Sequence, residues 1–302
     1  MTAMQPDLSG RTAIVTGAGK GLGRAYALHL AACGAAVLVN NRRHAGESDA
    51  DTSAAHTVAA IQQQGGRAVA NWSDVCEPDS GHAMVTQARA AFGGLDIVVA
   101  NAGVSIVGSF LKQGMAQFRN VFDTGFFGNL HLAHAAWPHL MAQAYGRVIL
   151  TASSAGLYGD HGLSAYSASK AAVIGLARAL AQEGRRKNVL VNVIAPYGLS
   201  QMTATYMSES MAQAFDPALV APLVGWLASR ACDISGEVMV SGGGMVRRSG
   251  TGETDGVLLE ASAIGPALHS LRERPLHQHA GANISFASFV GDLAQLKKES
   301  AA

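Results

Sequence analysis

The sequence predicts an α/β fold, a doubly wound parallel sheet with helices on both faces. Three observations carry this. Short runs rich in Val, Ile and Ala alternate with longer helical patterns from Arg11 to Ser241, the order that forces crossover connections. A glycine-rich turn, Gly17-Ala-Gly-Lys-Gly-Leu-Gly23, follows the first run. Hydrophobic residues make up 49% of the 302 positions and charged residues 14%, a balance suited to strands buried on both faces.

The elements follow in order. Arg11–Thr16 reads as a short buried strand, and the glycine turn leads from it into a helix that ends near Cys33-Gly34. A strand, such a turn and a helix N-terminus present backbone N–H groups to a pyrophosphate. The spacing is Gly-x-x-x-Gly-x-Gly (Gly17, Gly21, Gly23), with Gly19 and Lys20 inside it and Leu22 between the last two glycines. Glycine allows close backbone approach there, which favours dinucleotide binding. Ala36–Asn40 is the second strand. At its end, where an acidic residue would serve the ribose of NAD, stand Asn41, Arg42 and Arg43. A neutral residue followed by arginine suits a 2′-phosphate, and Lys20 adds a second cation, so NADP(H) is favoured and NAD(H) is the alternative. Residues 44–53 form a polar loop whose His and acidic residues lack metal-ligand spacing.

Helix 54–64, strand 68–72, helix 77–92 and strand 96–100 come next, with Asp74 placed to bond an adenine amino group. Asn101-Ala102-Gly103 is small enough for a cofactor to approach. A helix over 114–141, strand 146–152, helix 164–184 and strand 189–195 follow. Pro196–Thr203 is a loop near the nicotinamide, 204–215 a mobile substrate-covering helix, 218–229 a helix and 236–241 the last strand. Residues 8–245 thus make one dinucleotide-binding, catalytic domain. Residues 246–302 are an extension with no clean period until Phe286–Leu296.

The chemistry centres on Ser153, Tyr166 and Lys170. Tyr166 and Lys170 are four apart on a helix, so they share a face. A free tyrosine titrates near a pKa of about 10, and a lysine cation one turn away is expected to lower it. Ser153, at a strand end, would bond a substrate oxygen beside the phenol. The three form a proton-transfer site for an alcohol or carbonyl. Leu157, Tyr158, Tyr197, Met202, Tyr206 and Met207 supply an apolar, aromatic wall with Ser153, suited to a hydrophobic ketone.

Composition excludes other readings. A net charge of +1 offers nothing to nucleic acid or an anionic membrane. Cys33, Cys76 and Cys232 are few, odd in number and far apart, which points to a reducing, cytoplasmic setting and to no metal site. The first residues lack a signal-peptide pattern, and no run of 18 apolar residues occurs.

Thr16–Gly23, Asp74, Asn101-Ala-Gly103, Ser153, Tyr166-x-x-x-Lys170 and the Pro196 loop together resemble the short-chain dehydrogenase/reductase family across residues 8–245. Ala135–Leu140, Tyr145–Val148, Ser154–Gly159 and Ala221–Val224 look like the (3R)-hydroxyacyl-CoA dehydrogenase unit of multifunctional enzymes. The family resemblance implies a Rossmann-type fold and a homodimer or homotetramer through the two long helices. It implies Ser153, Tyr166 and Lys170 as catalytic residues. It further implies cofactor contacts from Val75, Thr151, Pro196, Gly198 and Leu199 beside those named above. The expected activity interconverts a secondary alcohol and a ketone on a steroid-like substrate. A (3R)-hydroxyacyl-CoA is the alternative substrate, and a catalytically silent dinucleotide-binding sensor or scaffold is the alternative of another class. Two positions depart from the family pattern: Gly125 stands where Asn is frequent, and Asn41 where the multifunctional enzymes usually carry Asp.

Overall fold

A computed structural model describes residues 6–199, 208–258 and 264–301. The chain divides into two compact units, Met1–Arg248 and Ser249–Ala302. The first is built on an eight-stranded sheet of order β3-β2-β1-β4-β5-β6-β7-β8. The strands are β1 (Thr12–Val15), β2 (Ala36–Asn40), β3 (Arg67–Asn71), β4 (Ile97–Ala100), β5 (Gly146–Thr151), β6 (Val189–Pro196), β7 (Val238–Gly242) and β8 (Met245–Ser249). All pairings from β3 through β7 are parallel. The order reverses between β1 and β4, which opens a crevice at the carboxyl ends of those two strands.

Strands β1, β2, β4 and β5 are buried along their whole length, which explains their unbroken apolar runs. One face carries α1 (Gly21–Ala32), α2 (Ser53–Gln63) and α9 (Ala221–Ala228), packed through Tyr26, Leu30, Ile61 and Val224. The other carries α3 (Ser80–Phe92), α5 (Gly128–Ala142) and α7 (Ser164–Gly184), packed through Met84, Leu132, Leu140 and Val173. Helices α3 and α5 touch at Gly81, where a Cβ would lie 2.1 Å from the His131 carbonyl oxygen. Segment Glu209–Ala228 has the length and mean hydropathy (1.2) of a membrane span. It is broken at Asp216-Pro217, between α8 (Glu209–Ala214) and α9, and α9 buries Val224 and Leu227 in the core.

Three expectations change. The helix over 114–141 is α4 (Met115–Phe122), a π-helical turn at Asp123–Phe127, and α5. A π turn inserts one residue into the helical period, and the apolar pattern on each side hides it. Of the proposed helix 204–215, α8 covers the last part, and 204–207 lie outside the described residues. Finally, β7 is not the last strand. Gly243 and Gly244, at φ 59° and 76°, make a two-residue connection to β8, which is largely exposed and so lacks a buried-strand period. Arg248 of β8 donates from Nε and Nη2 to the Glu237 carboxylate, at 2.7 and 3.0 Å.

The second unit holds α10 (Ile264–Leu271) and α11 (Ala282–Ala301). Glu253 and His277 form a bridge, and the Glu253 carboxylate accepts from Ser285 Oγ at 2.8 Å. Helix α11 exposes Phe286 and Phe289, so its helical period is not that of a one-sided core face.

Candidate active site

The glycine turn fills the crevice between β1 and β4. Gly17 and Gly21 adopt φ of 63° and 52°, conformations that disfavour any side chain. A Cβ on Gly23 would lie 2.2 Å from the Gly17 carbonyl oxygen, and one on Gly19 2.2 Å from Ser53 Oγ. Asn101 holds the turn from the neighbouring strand. Its Nδ2 donates to the Thr16 carbonyl at 3.0 Å, while Thr16 Oγ1 accepts from the N–H groups of Asn101 (3.0 Å) and Ala102 (3.1 Å). Asn101 therefore shapes the cradle as well as leaving room in it. Helix α1 starts at Gly21 with no side-chain cap from Lys20, so its first N–H groups are left for a ligand. These features fit a dinucleotide pyrophosphate.

At the end of β2, Asn41 Nδ2 donates to Ser53 Oγ at 2.9 Å. Arg42 Nη1 lies 3.5 Å from Asp74 Oδ2, and Asp74 Oδ1 accepts from the Cys76 N–H at 3.0 Å. Burial pushes the Asp74 carboxyl up. The Cys76 hydrogen bonds and Arg42 outweigh it and hold the group below the usual carboxylate range. Arg42 is 59% exposed, so this pair is weak and Arg42 is free to turn to another anion. His44, which the sequence left in a solvated loop, lines the same end of the cleft.

Ser153 caps the short helix α6 (Ser154–Tyr158), its Oγ accepting from the Ala155 N–H at 3.2 Å. It lines the same cleft as Tyr166. Lys170 is 2% exposed, and its Nζ donates to the Thr151 carbonyl at 2.8 Å, tying α7 to the end of β5. Helix α6 crosses α7 so closely that a Cβ on Gly156 would sit 2.7 Å from the Lys170 carbonyl carbon. The lysine nitrogen is 5.7 Å from the Tyr166 ring centroid.

The expected downward shift of Tyr166 is not found. Burial raises its pKa, and the neighbouring Ser153 hydroxyl only partly opposes this. Lys170 is itself desolvated, which pulls its pKa down to about 8, so it is a reluctant cation beside the phenol. Between pH 8 and 10.5 the unfolded chain binds more protons at this residue than the folded one. The stability cost of Lys170 is thus full below pH 8 and fades as the pH rises. Lys170→Met is expected to be more stable than the wild type at pH 7, by up to ~3 kcal/mol, with the gain shrinking towards pH 10. Urea denaturation at the two pH values checks this, and an equal difference at both would overturn it.

A continuous cleft of about 860 Å³ runs from Gly17, Lys20 and Leu22 past Arg42 and Asp74 to Tyr166 and Lys170. It collects most of the predicted residues: Gly21, Gly23, Asn41, Val75, Asn101, Ala102, Gly103, Thr151, Ser153, Tyr158, Pro196, Tyr197 and Gly198. Three lie off its wall. Gly19 faces Ser53, half-buried Leu157 packs against the hydrophobic core, and the Leu199 N–H is held by the Phe215 carbonyl at 2.8 Å. Met202, Tyr206 and Met207 lie outside the described residues. The wall beside Tyr166 is also less apolar than expected, because Ser105, Asp160 and His161 join Val107, Leu163 and Tyr158. Two glycines at positive φ, Gly159 (71°) and Gly162 (77°), turn this strap back, and the Gly108 N–H donates to the Gly162 carbonyl at 2.9 Å. The Gly-Asp-His-Gly run was the signal available in the sequence.

A cleft at the switch point of a doubly wound sheet, with a phenol, a lysine and a serine at one end and a phosphate cradle at the other, defines a Rossmann-type oxidoreductase. The short chain dehydrogenase family model matches residues 11–213. A Mycobacterium tuberculosis chain named as a short-chain type dehydrogenase/reductase, Rv0148, is 38% identical, over 83% of this chain and 88% of that one. Peroxisomal multifunctional enzyme type 2 of Mus musculus is 40% identical over 78% of this chain, which spans 32% of that enzyme. A short chain dehydrogenase from Mycobacterium avium superposes with a TM-score of 0.78 at 35% identity, covering 91% and 99% of the two chains. A 7α-hydroxysteroid dehydrogenase complexed with NADH and 7-oxo glycochenodeoxycholic acid gives 0.71 at 30% identity, covering 79% and 95%. The chain belongs to the short-chain dehydrogenase/reductase family and is an oxidoreductase of the CH–OH type.

Proposed function

We propose that this chain interconverts a secondary alcohol and its ketone on a bulky hydrophobic substrate, with NADP(H) as preferred cofactor. The observation that carries the chemistry is the convergence of Ser153, Tyr166 and buried Lys170 on one cleft. The bound nicotinamide supplies or accepts the hydride. Tyr166 holds the proton that a carbonyl oxygen receives, and its raised pKa keeps it protonated at neutral pH. Ser153 orients that oxygen, and Lys170, anchored on Thr151, fixes the helix face and reaches the ribose hydroxyls. Gly17, Gly21 and Gly23 cradle the phosphates, and Arg42 and Lys20 meet a 2′-phosphate.

The bound steroid in the hydroxysteroid dehydrogenase supports a steroid-like ketone. A second reading, a (3R)-hydroxyacyl thioester, is supported by the identity to the multifunctional enzyme. Turnover of a 7-oxo steroid and of a 3-ketoacyl-CoA with NADPH and NADH separates the two readings, and turnover of neither would sink both. For cofactor choice, Arg42→Asp is expected to reverse the NADPH preference, lowering NADPH affinity at least ~10-fold, in line with 1.5–3 kcal/mol for a charge-assisted bond. Fluorescence titration measures it, and unchanged NADPH affinity would remove Arg42 from the phosphate site. The assembly is proposed to be a homodimer or homotetramer and the setting cytoplasmic, on the composition and family resemblance above.

A further inference from the structure

A second cavity, of about 700 Å³, opens at the amino-terminal end of the sheet, away from the catalytic cleft. Arg11 precedes β1, Arg147 lies at the start of β5, and Arg230 follows α9; all three line it. Arg147 is 2% exposed. Its Nε donates to the Ser229 carbonyl at 3.0 Å, and its Nη1 to Gly146 O (2.9 Å), Asn188 O (3.0 Å) and Asn188 Oδ1 (3.3 Å). Every one of these acceptors is neutral. Among the described residues Arg147 has no carboxylate partner, and its Nη2 has no acceptor. The nearby Asp96 is taken by Arg11, at 2.6 Å.

The Tyr145 ring holds the pair in place. The Arg11 guanidinium lies 3.9 Å from its centroid and that of Arg147 lies 4.5 Å from it. Two like charges thus share one ring, at a place where isolated charge is costly to keep. Arg230 stands exposed at the rim. Against these three guanidinia the cavity wall carries one carboxylate, Asp233. Arg147 does clip β5 to the end of α9, but Nε and Nη1 suffice for that, and Nη2 makes no hydrogen bond to a described residue.

We propose that this basal cavity binds a small organic oxyanion, a phosphate or a carboxylate, held by Arg147 and Arg230 with Arg11 beside them. Guanidinium forks match such anions in two-bond geometry, and a bound anion would give Arg147 the counter-charge the fold leaves out. Arg147 and Thr151 are four residues apart on β5, about 13 Å at the usual strand rise, so cofactor and anion bind separately.

Calorimetric titration of the cofactor-saturated protein tests this, with inorganic phosphate and with succinate in separate arms at constant ionic strength. Saturating cofactor keeps phosphate out of the glycine cradle. One saturable site is expected, with Arg230→Gln weakening it at least fivefold and Asp233→Asn tightening it. The arm with the higher affinity identifies the anion class. Both variants lie on the surface, outside the catalytic cleft, and turnover should be unchanged in each. No saturable heat in either arm, or equal affinity in Arg230→Gln, means an adventitious ion only and overturns the proposal.

Discussion

Tyr166→Phe is expected to lower turnover by about 10³-fold while cofactor affinity stays within about twofold, since positioned acid–base groups contribute roughly 10²–10⁴-fold. The phenylalanine ring keeps the packing of Tyr166 on α7 and removes only the hydroxyl that shares the cleft with Ser153. What disappears is the proton donor. The cradle at Gly17–Gly23 and the Lys170–Thr151 bond remain. Steady-state turnover beside a cofactor titration of the same preparation gives the answer. Turnover within tenfold of the wild type would show that the proton comes from elsewhere. A parallel loss of cofactor affinity would show that the hydroxyl matters to binding.

The second large effect is expected from one methyl group. Gly23→Ala would place Cβ 2.2 Å from Gly17 O and 2.6 Å from Asn101 Nδ2. Gly17 O is backbone, so it cannot swing aside as a side-chain tip can. Either the glycine turn opens or α1 lifts from β1. Both spoil the phosphate cradle, and overpacking of this kind costs about 1–3 kcal/mol. Cofactor affinity should fall at least ~10-fold, with a lower thermal midpoint. Gly46→Ala, whose Cβ would meet nothing within 4 Å but whose φ is 84°, serves as a surface control for backbone strain alone. If Gly23→Ala and Gly46→Ala behave alike, close packing at Gly23 is not what the turn requires.

The sheet and the catalytic end were legible because their signals are local. β2 at Ala36–Asn40 and α7 at Ser164–Gly184 have the bounds the sequence predicts, since buried parallel strands are unbroken apolar runs and α7 is long and periodic. Ser153, Tyr166 and Lys170 do meet, because the β5 end and the first turns of α7 are joined by the tight α6 crossing. What the sequence could not yield depends on distant parts of the chain. The upward shift of Tyr166 follows from burial, which no spacing encodes. Leu157 reads as a wall residue because it adjoins Tyr158, yet successive helical residues face different ways, and it packs half-buried against the core. Asn101 was legible as a small residue beside a cofactor, but not as the side chain that holds Thr16 and Gly17. β8 leaves no apolar signal, because an exposed edge strand has no reason to be apolar.

The π-helical turn at Asp123–Phe127 acts as a phase setter. Asn129 Nδ2 donates to Gly125 O at 2.8 Å, supplying a partner to a carbonyl the widened turn displaces. One residue of an α-helix corresponds to about 100° of rotation. The widened turn takes up one residue more than an α turn while the helix on each side keeps its phase. One further residue inserted beside Thr124 would find no second widened turn, and every later residue of α5 would point about 100° away from its present neighbours. Leu132, Ala136 and Leu140, now fully buried, would leave the β4–β5 face, and Gly128 would no longer fit over Val75. The longer chain should fail to fold, whereas a one-residue deletion in the turn, which lets α4 and α5 fuse into a regular helix of the same phase, should not. In this protein the capacity of the turn for one extra residue, more than the identity of its residues, determines which side of α5 becomes interior.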